Sequence, residues 1–202
     1  MIPAVEIKHD MNGIAARIGL MAKERNAAVV RAINRTMTTV RADAARTLSR
    51  ELDGLAIGVI KKRIRFKRAS RAEMHAALTF SNKRLRLVNW RLNRIQTRWG
   101  VGIRQSGRLP KVILRVDAIS GRVTPVSEAE LRSAFLQRSR KFGTINAWLR
   151  QGKDSMPIDV LVASSLSEVM VRNRLNVALA RGARERFQIV FAQEAKFQLS
   201  KR

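Results

Sequence analysis

Ile14, Ile18, Met21, Arg25, Val29, Ile33, Met37, Val40, Ala44 and Leu48 recur at three- or four-residue spacing, marking one face of an amphipathic helix over residues 13–52. No proline interrupts the run, and Asp10 or Asn12 stands where a cap would start it. An unbroken helix of that span would be about 60 Å long at ~1.5 Å per residue. A break is therefore expected near residues 25–27. Such a helix packs on a sheet or, alternatively, against a copy of itself. Asp53-Gly54 then reads as a stop, and a second helix is expected over residues 55–64. Leu55, Val59, Ile60 and Ile64 form its apolar face, and Lys61, Lys62, Arg65 and Arg68 lie on the remainder.

From Arg71 the period changes to two. Met74, Ala76, Leu78 and Phe80 alternate with Glu73, His75, Ala77 and Thr79, the signature of a half-buried strand. Leu85 and Leu87 alternate with Arg84 and Arg86, and residues 112–116 form another short apolar strand. These pieces predict an antiparallel, meandering sheet with arginines on its outer face. Residues 127–136 read as a short helix and residues 138–143 as a basic turn. Ile145, Ala147 and Leu149, with Trp148 on the opposite face, pair with Ile158-Asp159-Val160 across a turn as a hairpin. Ser165-Leu166-Ser167-Glu168 is a capping box. It opens helices that run to residue 202, with an interruption expected near Gly182, and Phe187, Val190, Phe191 and Ala195 mark one face. The pattern predicts one α+β domain over residues 1–202. Within it lie a helical arm (1–53), a basic helix plus sheet (54–160) and C-terminal helices (161–202).

Charge changes this picture most. The chain carries 41 Lys and Arg against 15 Asp and Glu, a net +26, and 30 of the basic residues are Arg. Residues 54–116 hold 17 basic residues and one acid, Glu73. Within them Lys61, Lys62, Arg63, Arg65, Lys67, Arg68 and Arg71 crowd into eleven positions. A solvated helix end accounts for a few cations, but seven predict a surface that meets nucleic acid or an acidic protein. Arg-rich surfaces suit both, because guanidinium binds phosphate and carboxylate bidentately. The chain has no Cys, so disulfides and thiolate metal sites are excluded. No cationic start with an apolar run opens the chain. No apolar stretch approaches the ~20 residues of a spanning helix, so a soluble chain without membrane contact is expected.

The sequence offers no chemistry to set beside this charge. His9 and His75 are isolated, and zinc sites need several ligands at short spacing. No glycine-rich phosphate loop occurs. Asp154 and Asp159, five apart across a turn, suit acid–base catalysis poorly. No enzyme activity, metal or cofactor is expected. Zinc-finger, helix-turn-helix and aromatic-strand modules are also absent. Trp90 and Trp99, among Arg84, Arg86, Arg91, Arg94 and Arg98, either form a surface for base stacking and phosphate or anchor a core or an interface.

Ala32-Ile33-Asn34-Arg35 in the first helix and Phe66-Lys67-Arg68-Ala69-Ser70 closing the basic stretch resemble the minor tail protein Z family of long-tailed phages. So do Ala134-Phe135-Leu136-Gln137 ahead of the Trp148 strand, and Pro157-Ile158-Asp159-Val160 before the last helices. The resemblance follows their order over residues 28–200. It implies a structural virion protein that completes the tail and joins it to the head. It would act at the head-proximal end, near the tail terminator and tail tube, after assembly in the host cytoplasm. It also implies a homo-oligomer, a ring of three or six, with non-specific contact to DNA. A cellular nucleic-acid-binding protein is the alternative.

Overall fold

The computed structural model describes residues 4–5, 22–52, 55–89, 113–116, 123–127, 129–130, 134–138, 145–152 and 158–200. The expected helix start and its caps, the Asp53-Gly54 stop, Trp90, Trp99, Asp154 and the basic turn at 139–143 lie outside them. The fold is α+β. The chain divides into two compact units, one of residues 1–47, 61–81 and 169–202, the other of residues 48–60 and 82–168.

The first unit is built on α1 (Ala22–Glu51), of which residues 22–47 belong here. Ala28, Val29, Ala32, Ile33, Met37, Val40 and Ala44 are buried along one stripe. The helix runs without interruption through Arg25–Ala27, where a break was expected. Glu24-Arg25-Asn26-Ala27 contains no proline or glycine, and a polar stretch alone does not break a helix whose stripe continues on either side. A three-stranded antiparallel sheet in the order β1-β3-β2 joins β1 (Ala4–Val5), β2 (Ile64–Lys67) and β3 (Ala77–Phe80). Leu78 and Phe80 are buried, as the alternation required.

Beyond the sheet, the capping box at the unit boundary starts a short helix, α3 (Leu166–Arg172), and α4 (Leu175–Leu199) follows. Helices α1 and α4 run antiparallel. Arg31 lies over the Phe197 ring at 5.8 Å, Arg35 pairs with Glu194 at 3.1 Å and Asp43 pairs with Arg186 at 3.7 Å. Ala183, Phe187, Phe191 and Ala195, at four-residue spacing, are buried on α4.

The second unit carries a larger antiparallel sheet in the order β6-β5-β9-β8-β7. It comprises β4 (Arg84–Arg86), β5 (Ile113–Val116), β6 (Val123–Pro125), β7 (Phe135–Arg138), β8 (Ile145–Arg150) and β9 (Ile158–Ser165). The long central β9 pairs with β5 along one edge. Its other edge takes β8 near its start and β4 near its end. Leu87, Ile113, Ala134, Ala147, Leu149 and Leu161 form its core, with Val126 and Leu136 packed against them. The β8–β9 hairpin is as expected, but the sheet is not a meander, because the last strand in sequence is inserted at its centre.

Three further expectations are corrected. The second helix, α2 (Ile57–Lys62), ends before Ile64, which starts β2 instead. Ile64 is buried as the helical pattern also required, so burial alone did not separate the two readings. The helix expected over residues 127–136 gives way to β7 at Phe135, which pairs with Trp148 of β8, as Leu136 pairs with Ala147. The C-terminal helices break at Asn173-Arg174, not at Gly182. Gly182 costs a helix only about 1 kcal/mol, and α4 continues through it.

A basic segment laced to the first helix

Residues 61–71 lie within the first unit, and α1 holds both ends of the basic segment. At its start, the Arg41 guanidinium donates to the Lys61 carbonyl at 2.7 Å, satisfying a carbonyl at the end of α2. Near its end the Asn34 amide makes two bonds with the backbone of one residue, Ala69. Its Nδ2 donates to the Ala69 carbonyl at 3.0 Å, and the Ala69 N–H donates to its Oδ1 at 2.9 Å. Asn34 and Arg41 are two helical turns apart, so a rigid helix sets the span between the two attachments. The carbonyl of Arg63 accepts from Ser81 N–H at 3.1 Å, which fixes the entry to β2.

Pleating then sorts the side chains. Ile64 is buried and Phe66 half-buried, while Arg65 and Lys67 are exposed on the other face, opposite Thr79 and Ala77 of β3. The Arg68 guanidinium sits 5.9 Å from the Phe66 ring centroid. Lys61, Lys62, Arg65, Lys67, Arg68 and Arg71 are exposed, and Arg63 is half-buried in the turn. All seven sequence-predicted residues thus belong to one short segment, six with their side chains in solvent.

Glu73 is the acid of this surface. Its Oε1 accepts from Lys67 Nζ at 2.6 Å and lies 3.1 Å from His75 Nε2. The bond from Lys67 holds the carboxyl below its ordinary value, aided by the His75 and Lys67 charges and opposed by partial burial. Ser70 and Glu73 close the turn between them, with Ser70 N–H donating to the Glu73 carbonyl at 2.9 Å and Glu73 N–H to Ser70 Oγ at 3.1 Å. Sequence reasoning missed Asn34, Arg41 and Glu73 as supports. In the sequence Asn34 stood only as one residue of the Ala32-Ile33-Asn34-Arg35 run.

The second unit holds a further ionic cluster, which is structural. Asp159 is fully buried on the core side of β9, where an unpaired charge would be costly. Gln151 Nε2 donates to it at 2.8 Å and Arg115 Nε lies at 3.4 Å. Arg115 also reaches Glu130 at 2.9 Å. Hydrogen bonds from the Ser127 backbone and hydroxyl to Glu130 hold that carboxyl below its ordinary value, with Arg115 adding to the effect. Among the described residues no cluster of His, Asp or Glu could hold a metal, and no helix is long and apolar enough to cross a membrane.

The family model described as prophage minor tail protein Z matches residues 14–202. No curated protein and no solved structure matches the chain.

Proposed function

The chain belongs to the prophage minor tail protein Z family, a structural phage tail protein and hence a virion component, and from that premise we propose that it completes the tail and joins it to the head. In this reading it assembles in the host cytoplasm and docks at the head-proximal end of the tail tube, beside the tail terminator. Its two compact units, each built from non-contiguous stretches, act together as one tail-completion domain. In the particle it stands as a ring of three or six copies.

The basic segment is the surface that meets polyanion, either the DNA end or an acidic neighbouring ring. The observation that carries this role is the lacing of residues 61–69 to α1. Six exposed cations on and beside a braced strand are already placed for a ligand, which lowers the ordering cost of binding.

Reversing Lys62, Arg65 and Arg68 to Glu tests the reading. All three are exposed, so folding should survive. Infectious titre should fall sharply, with tails of normal length accumulating unjoined. Normal titre from correctly folded triple variant overturns the assignment.

A further inference from the structure

Helix α4 has a second face that α1 does not use. Ala178, Gly182, Glu185, Ile189, Ala192 and Lys196 are all exposed. Their spacing alternates four and three, the repeat of a helix seam that packs against another helix. Ile189 is 62% exposed, a large apolar side chain left in water. Ala192 beside it offers little bulk, and a side chain added at Gly182 would meet nothing within 4 Å. The buried stripe Ala183, Phe187, Phe191, Ala195 lies elsewhere on the helix, so this seam is surplus to the fold of the unit.

We propose that this seam pairs with the same seam of a second copy, antiparallel about a two-fold axis. In one register the contact spans residues 185–196, where Glu185 faces Lys196 of the second copy and Ile189 faces Ala192 of the second copy, each contact occurring twice, while Ala178 and Gly182 extend beyond it. That reciprocity is the requirement of a two-fold interface. Seams in antiparallel pairs bring these alternate positions together in layers, so the register also satisfies helix packing. The charges choose the occupant. In a chain of net +26 most surfaces repel a copy of themselves. Within this seam one acid and one base balance, and reversing the direction brings them opposite each other. The Arg181 guanidinium, 3.2 Å from Glu185, leaves the second carboxylate oxygen for Lys196 of the second copy. A ring requires head-to-tail contacts, so this two-fold contact is a separate surface and belongs to the protein outside the particle.

The chain has no cysteine, which makes the test direct. Purified Glu185→Cys and Lys196→Cys chains, mixed and oxidised, should form a disulfide-linked heterodimer. Either variant alone should not, because identical positions lie about 16 Å apart along the axis in this register, beyond disulfide reach. In sedimentation experiments, unmodified protein should dimerise with rising concentration. Glu185→Lys should weaken the dimer by about tenfold, Ile189→Lys should do the same or more, and Glu185→Lys/Lys196→Glu should restore it. A chain that stays monomeric at every concentration overturns the proposal. So does a dimer indifferent to these changes, or one that cross-links through identical positions.

Discussion

The residue on which the basic segment most depends is uncharged. Asn34 supplies both a donor and an acceptor to the backbone of Ala69, a residue buried at 6% exposure. Asn34→Ala removes both partners at once and leaves a backbone N–H and C=O without compensation. The cost is about 1–3 kcal/mol for each such group when water cannot replace the partner. With two groups orphaned, chemical denaturation of Asn34→Ala should therefore show a loss of about 2 kcal/mol or more, against under ~0.5 kcal/mol for an exposed change such as Lys62→Ala. Equal stabilities would mean that solvent takes over the clasp. This contact could not be read in the sequence, because its partners stand 35 residues apart and nothing in either sequence neighbourhood names the other. The Ser165–Glu168 box was legible, since both partners lie in one turn. Its reciprocal bonds are present, Ser165 N–H to Glu168 at 3.0 Å and Glu168 N–H to Ser165 Oγ at 3.2 Å.

Elements were legible in type and misplaced at their ends. Apolar spacing gave α1, β3, β4, β8 and the hairpin, because each has a face toward a core and a face away from it. It failed at residues 61–67, where Ile64 fits a helix face with Ile60 and a strand face with Phe66 equally well. It failed again at the α3–α4 junction. There the chain turns through Arg174, the one non-glycine residue with positive φ (52°) among the described residues. The Arg174 N–H closes the end of α3 on the Val171 carbonyl at 3.1 Å. This is a position that glycine or asparagine ordinarily fills, so the sequence carries no mark of it. A left-handed conformation costs an L-residue about 1–2 kcal/mol, and glycine escapes that cost. Arg174→Gly should leave α3 and α4 in place and raise stability by up to about 1 kcal/mol, part of the gain being offset by the freer unfolded chain. Arg174→Val, β-branched, should lower it. The two thermal midpoints check the sign, and a lower midpoint for Arg174→Gly would show that the arginine side chain contributes more than its backbone costs.

For the whole molecule, charge and family membership could be read in the sequence, while the arrangement could not. The central strand of the larger sheet is the last strand of the chain, and residues 61–81 leave their sequence neighbours to join α1 and α4. Such long-range pairings leave no local trace. They nevertheless decide what the charge can do, because they put Arg65 and Lys67 on one side of a strand and leave Ala77 and Thr79, both short, beside them. A surface of that kind can approach a phosphate backbone closely, and nothing on it reads bases. Contact with duplex DNA should then be independent of sequence and driven by counterion release, with a log–log salt slope of roughly −0.9 per phosphate neutralised. If the six exposed cations each meet a phosphate, affinity should fall by about a thousandfold between ~50 and ~200 mM salt. Fluorescence titrations with unrelated duplexes should give equal affinities and a slope of several units, and reversing Lys62, Arg65 and Arg68 to Glu should flatten that slope by about three contacts. Undetectable DNA binding at low salt, together with tight binding to a purified tail terminator, would assign the segment to protein docking. The acidic neighbour would then supply carboxylates where DNA would have supplied phosphates.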